Sequence, residues 1–273
     1  MESRNPVLRR ESQYVGFTEP GGAQAGTAAA ADTSTMSAQQ LQELYNQPAA
    51  QRAGAVRIDD VVIKTGILFV ILLMGAVVGW NTAVSIPALW IGAALVGFVL
   101  AMVNIFKKVV SPILVMAYAL VQGVFLGGIS FFYSDAFSQP IVQQAILGTL
   151  VAFGVMLTLY RTRIIKVNGR FQQIMMVALI SYALIAVASL VAALFGVGNG
   201  WGFYGVGGLG ILLCMAGVAL AALTLALDFE AINQSIAQGL PERESWRLGF
   251  GLMVTLIWLY LEILRFLAIL NGR

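Results

Sequence analysis

From residue 61 to residue 270 the chain is almost continuously apolar, and two carboxylates sit at membrane depth within it. They are Asp228, in Leu225-Ala226-Leu227-Asp228-Phe229, and Glu262, in Trp258-Leu259-Tyr260-Leu261-Glu262-Ile263. An ionisable side chain in hydrocarbon costs about 2.5–3.5 kcal/mol on insertion scales, so each is a functional candidate by default. If the two approach each other they cannot both ionise cheaply in low dielectric; such a pair shares a proton and releases it as pH rises. Their oxygens also suit a hard cation such as Ca²⁺, though two carboxylates supply too few oxygens for a closed cage. The chemistry on offer is a proton-gated cation path with weak Ca²⁺ binding at Asp228 and Glu262.

Each acid also has a simpler reading. Asp228 lies near the end of its apolar run, where a carboxylate can be hydrated at the headgroup level. Glu230, two residues on, is more plainly interfacial and at most supports the site. Glu262 has Arg265 three positions along, on the same helical face, and the two can form a local ion pair. With a turn at Gly239–Ser245, a simple hairpin sets Asp228 level with Leu256. Glu262 then lies six residues further, about 9 Å at ideal helical rise, so direct contact needs tilt, an asymmetric turn or bridging water.

The composition explains why these residues are conspicuous. The chain is 59% hydrophobic and 11% charged, with mean hydropathy +0.84, against roughly 25% charged in an ordinary soluble domain. This is a polytopic membrane protein, and its formal charge of +3 is too small and dispersed to suggest nucleic acid. There are no histidines, which removes His-based zinc sites, His-ligated haem and Ser-His or Cys-His dyads. Any pH sensing must therefore come from carboxylates. The single cysteine, Cys214, has no partner within the chain for a disulfide.

Apolar runs long enough to span a bilayer are expected at 61–80, 87–106, 111–132, 141–160, 173–195, 203–228 (extending to 237) and 248–270. Pro87, Pro112 and Pro140 fall near helix starts, where proline is tolerated, and short turns make neighbouring spans antiparallel. Arg52, Arg57 and Lys64, then Lys107 and Lys108, then Arg161, Arg163, Lys166 and Arg170, then Arg243 and Arg247 occupy alternate connections. The intervening segments 81–86, 133–140 and 196–202 carry no Lys or Arg. The positive-inside rule puts the N-terminus in the cytoplasm and the C-terminus outside.

Residues 1–60 form a separate region, expected to be a disordered cytoplasmic tail, with one short helix at 38–46 behind Ser37 as N-cap. It holds neither a signal-peptide core nor the charge pattern of a transit peptide. Gly123 and Gly127 make a GxxxG pair suited to close helix approach. Gly205-Val206-Gly207-Gly208-Leu209-Gly210 matches G-x-G-x-x-G but opens a membrane helix instead of following a strand, so it does not indicate a dinucleotide.

Several of these segments also carry a family likeness. Asn5-Pro6-Val7-Leu8, Ile58-Asp59-Asp60-Val61-Val62-Ile63-Lys64-Thr65-Gly66 and Val103-Asn104-Ile105-Phe106-Lys107-Lys108 resemble bacterial Bax-inhibitor/YccA-like membrane proteins, within the transmembrane Bax-inhibitor-motif family. So do Tyr118 to Gly127, Leu227-Asp228-Phe229-Glu230-Ala231-Ile232 and Trp258 to Arg265, the last two being the most specific. The resemblance implies an all-α fold, six helices around a central C-terminal seventh, acting as a pH-sensitive Ca²⁺ leak in a bacterial cytoplasmic membrane. It implies that acids on the last two helices form the sensor, and Asp228 and Glu262 fall on those positions. Three departures are visible: Glu262 stands where the family usually has Asp, Gln122 where related sequences often have Glu, and span two has no basic residue before Lys107.

The expectation is thus a non-enzymatic membrane protein without a cofactor, with Ca²⁺ as permeant ion, Asp228 and Glu262 as sensor, and Arg265, Gln122 and Glu230 in support. Its partners are the bilayer and, through the tail, other membrane proteins. The alternative is a partner-binding regulator of membrane proteolysis or stress response with no transport activity. An intramembrane aspartyl protease would need Gly-x-Gly-Asp where this chain has Leu-Tyr-Leu-Glu, and a retinal protein would need a lysine in span seven.

Overall fold

In the computed structural model the described residues are Ser37, Gln39, 54–137 and 140–272. The chain divides into two units, residues 1–46 and 47–273, and all seven long helices belong to the second. Most of the tail, and the short helix expected at 38–46 apart from the helical Gln39, lies outside the described residues.

The helices are α1 (Ile58–Thr82), α2 (Pro87–Phe106), α3 (Pro112–Ala136), α4 (Ile141–Arg161), α5 (Gly169–Leu194), α6 (Gly207–Ala237) and α7 (Ser245–Asn271). All seven are long and apolar enough to cross a membrane, which makes this a multi-pass membrane protein. Their bounds follow the sequence reading closely, with Pro87 and Pro112 as first helical residues, where a missing N–H costs nothing. Helix is the only regular structure among the described residues apart from one isolated β-bridge, Ala55 to Pro241. Hydrocarbon requires this outcome, because each backbone N–H and C=O must be satisfied within its own segment.

Lipid tails give apolar faces no reason to prefer one another, so association depends on close packing. Helices α1 and α3 achieve it through four glycines. A Cβ on Gly75 or Gly79 would run into the α3 backbone at Leu120 and Val124, and one on Gly123 or Gly127 would run into α1 at Leu72 and Ala76. The expected GxxxG pair is therefore half of a two-sided seam. Helix α7 lies against α1, α3, α4 and α6 and contributes to all three apolar clusters. It packs Met253 and Ile257 with Leu68 and Val115, Leu256 and Leu259 with Leu225, and Leu264 and Ala268 with Ile141. Helix α2 leans mainly on α3, and α5 on α6 and the two 3₁₀ turns at Val197–Gly200 and Gly202–Gly205.

One end of the bundle is tied by polar contacts. Val56 N–H donates to Leu240 C=O (2.8 Å) and Glu242 N–H to Gly54 C=O (2.7 Å). Lys64 Nζ pairs with Glu242 (2.9 Å) and lies over the Trp246 ring. Arg247 donates to the Lys107 and Lys108 carbonyls (3.3 and 2.8 Å). The connections bearing Lys and Arg thus gather at this basic end.

The seam can be tested against a neutral control. Gly79→Val and Gly127→Val are expected to lower stability in detergent by more than about 2 kcal/mol, since overpacked backbone contacts have nowhere to relax. Gly154, with open space around its Cα, should accept Ala with no loss or a gain of up to about 1 kcal/mol. Thermal unfolding of the three proteins checks both, and an unaffected Gly127→Val would contradict the seam.

Candidate functional site

Helices α6 and α7 are antiparallel, and small residues fix their register. Glu262 lies against Gly217 of α6, where a Cβ would stand 2.6 Å from Oε2, and Asp228 lies against Gly251 of α7, where a Cβ would stand 3.8 Å from Oδ1. Asp228 and Gly217 are eleven residues apart on α6, as Glu262 and Gly251 are on α7. The two carboxylates are therefore separated by about 16 Å along the pair at 1.5 Å per residue. Simple hairpin counting gave six residues; the true offset is larger because the pivot lies earlier. Helix α6 stops at Gly239, whose φ of +65° permits the left-handed cap, with Leu240 N–H returning to Ser235 C=O and Gly239 N–H to Ile236 C=O. The chain then runs through a 3₁₀ turn, Glu242–Glu244, into α7.

A shared proton or a shared Ca²⁺ requires both carboxylates within a few ångström of one point, and this register excludes it. No group of three or more metal-ligating acid, thiol or imidazole side chains occurs among the described residues. Asp228 and Glu262 are two separate carboxylates, each nine residues from its own helix end, at opposite ends of the pair.

Glu262 is 3% exposed and fully engaged. Arg265 Nη1 donates to both its oxygens (3.2 and 3.4 Å), and Trp258 Nε1, one turn back, donates to Oε1 (3.1 Å). The guanidinium carbon of Arg265 lies 4.4 Å from the ring centroid of Tyr204, and the Tyr204 hydroxyl donates to that of Tyr182 (2.9 Å). Tyr133 of α3 also faces Arg265. The local ion pair foreseen in the sequence is therefore present, inside an aromatic enclosure that sequence reading missed. Trp258, four residues before Glu262, could have been found by helical spacing; Tyr182 and Tyr204 come from other elements and leave no local signal.

Asp228 is nearly bare by comparison. Its Oδ2 is buried with no hydrogen-bond partner, and the polar side chain facing it is Thr255, whose own hydroxyl donates to the Gly251 carbonyl (3.2 Å). Glu230 belongs to a different network, accepting from Tyr160 of α4 (2.7 Å) and from Gln234 (2.9 Å), with Asn233 donating to the Tyr160 hydroxyl (2.7 Å). Gln122 turns to α2, where its amide oxygen lies against Gly97; no hydrogen bond joins it to either carboxylate. Of the expected supporting residues only Arg265 meets a carboxylate of the site.

The whole sequence can be compared with family models. Residues 5–272 match the model described as Bax inhibitor 1 like. The chain belongs to that family. No curated protein matches the sequence. This Bax inhibitor 1 like protein has seven long apolar helices, with Asp228 on α6 and Glu262 on α7.

Breaking a buried ion pair from one side strands the other charge, a loss of 3–5 kcal/mol when both groups are fully buried. The Arg265 side chain is 30% exposed, so Glu262→Gln is expected to cost less, about 1–3 kcal/mol. Glu262→Gln with Arg265→Gln together should cost less than the sum of the singles. A double-mutant cycle by unfolding in detergent measures this, and strict additivity would show that the pair contributes no coupling.

Proposed function

We propose that this protein is a non-catalytic, pH-dependent cation leak in which Asp228 and Glu262 act as two successive stations along the α6–α7 seam. The observation that carries the reading is their placement. Both acids lie on one packed helix pair, α6 and α7, of which α7 is the most buried of the seven spans, one toward each end, where ionisable groups are costly unless used. The expectation drawn from the family likeness supports it, with Ca²⁺ as the ion. A deprotonated carboxylate offers a passing cation its counter-charge and a protonated one does not, so flux rises with pH. Two weak stations suit passage better than a tight cage does, since an ion must leave each one.

The proposed orientation places the N-terminus and the basic end in the cytoplasm and the C-terminus outside, in the cytoplasmic membrane of a bacterium. Its support is the confinement of Lys and Arg to alternate connections. No cofactor enters the reading.

The test is Ca²⁺ flux into liposomes carrying the purified protein, from acidic to neutral pH, beside Asp228→Asn and Glu262→Gln. Wild-type flux is expected to rise with pH, and each variant to lose most of that dependence, by about tenfold at the upper end, the effect of about 1.4 kcal/mol on one station. Flux no greater than that of empty liposomes would overturn the leak. It would favour a regulator acting on other membrane proteins through residues 1–50, to be pursued by deleting that tail.

A further inference from the structure

The enclosure around Glu262 is built for a particular kind of cation. Arg265 Nη1 donates to both carboxylate oxygens, the Tyr204 ring covers the guanidinium from one side at 4.4 Å, and Trp258 Nε1 donates to Oε1. The Tyr182–Tyr204 hydroxyl pair, joined at 2.9 Å, closes the wall, and Gly217 leaves the space that the Glu262 head occupies. Carboxylate, aromatic face and apolar walls recognise a planar, weakly hydrated organic cation. A divalent ion held tightly needs six to eight oxygens; this enclosure presents too few to retain one, though one can pass.

The cation seated there belongs to the chain itself, three residues along the same helix. Its tether is short and local, so its departure needs only rotation of one side chain. The Arg265 side chain is 30% exposed against 4% for that of Glu262, so the arginine is the less enclosed member of the pair. We propose that this enclosure is a binding site for small guanidinium-type organic cations, with Arg265 as its resident, displaceable occupant. The inference rests on the ion pair and its aromatic surroundings, and it goes beyond the leak reading without depending on it. The charged groups facing Glu262 reduce to Arg265; Tyr133, Tyr182, Tyr204 and Cys214 are the titratable neighbours from α3, α5, the 3₁₀ turn and α6.

The experiment removes the resident and supplies a soluble one. Purified Arg265→Gln, which keeps much of the side-chain stem, is unfolded thermally in detergent with millimolar n-propylguanidinium, against sodium chloride at equal ionic strength. The probe is expected to raise its midpoint by about 3 °C or more, to raise that of wild type by less because it must displace Arg265 there, and to leave the Glu262→Gln/Arg265→Gln double variant unmoved; an unmoved wild type would overturn displacement. No shift in Arg265→Gln, or an equal shift in the double variant, overturns the proposal. If Arg265→Gln is recovered only as aggregate, its yield when purified with and without the probe becomes the measurement. Rescue that requires Glu262 supports the site, and absence of rescue overturns it. A shift in a protein that passes no Ca²⁺ would leave this site standing while removing the leak, so the two failures are distinguishable.

Discussion

A carboxylate with 3% of its surface exposed has to find positive charge inside the protein, and Glu262 finds it on its own helix. That choice shapes the surrounding fold. An intrahelical partner leaves α7 free of any ionic tie to its neighbours at this level. The other elements therefore approach with rings and small residues: Tyr204 from the 3₁₀ turn, Tyr182 from α5 and Gly217 from α6. Helix α7 can then be the common wall of three apolar clusters while still carrying a charge pair. The polar contact that joins it to α3 nearby is neutral, Ser130 with Tyr260 at 2.6 Å.

Asp228 shows the contrary solution to the same constraint. Among the described residues no cation pairs with it, and one of its oxygens has no hydrogen-bond partner. A buried polar atom without a hydrogen bond is a standing cost, tolerated most readily where something transient is meant to bind. Thr65, on α1, has a similarly unpartnered hydroxyl against Gly249 of α7. Beside the half of α7 nearest the basic end, one oxygen of α6 and one of α1 are unpartnered, while the other half of α7 carries a satisfied ion pair. The two stations differ in kind as well as in place.

The seven spans, their proline starts and the alternation of basic connections were legible in the sequence, because hydropathy and helix-start chemistry are local signals. The Glu262–Arg265 pair was legible too, through its spacing of three. The α6–α7 register was not. It depends on where Gly239 ends α6 and on the pairing of residues 54–56 with Leu240–Glu242, which lies across most of the chain. Gln122 entered through the family likeness alone, and a sequence position gives no local signal for which neighbour a side chain meets; its amide oxygen lies against Gly97 of α2.

Helix α6, at 31 residues, is about 46 Å long, against a hydrocarbon thickness of roughly 30 Å. A helix this long must tilt or project into the headgroups, and bilayers of different thickness shift that balance. Asp228 and Glu262 each lie nine residues from an end, at opposite ends of the helix pair. Thinning the bilayer therefore brings both acids closer to headgroup water at once, and thickening it buries both. The lipid chain length around this protein therefore sets the surroundings of both acids together, though they lie at opposite ends of the pair.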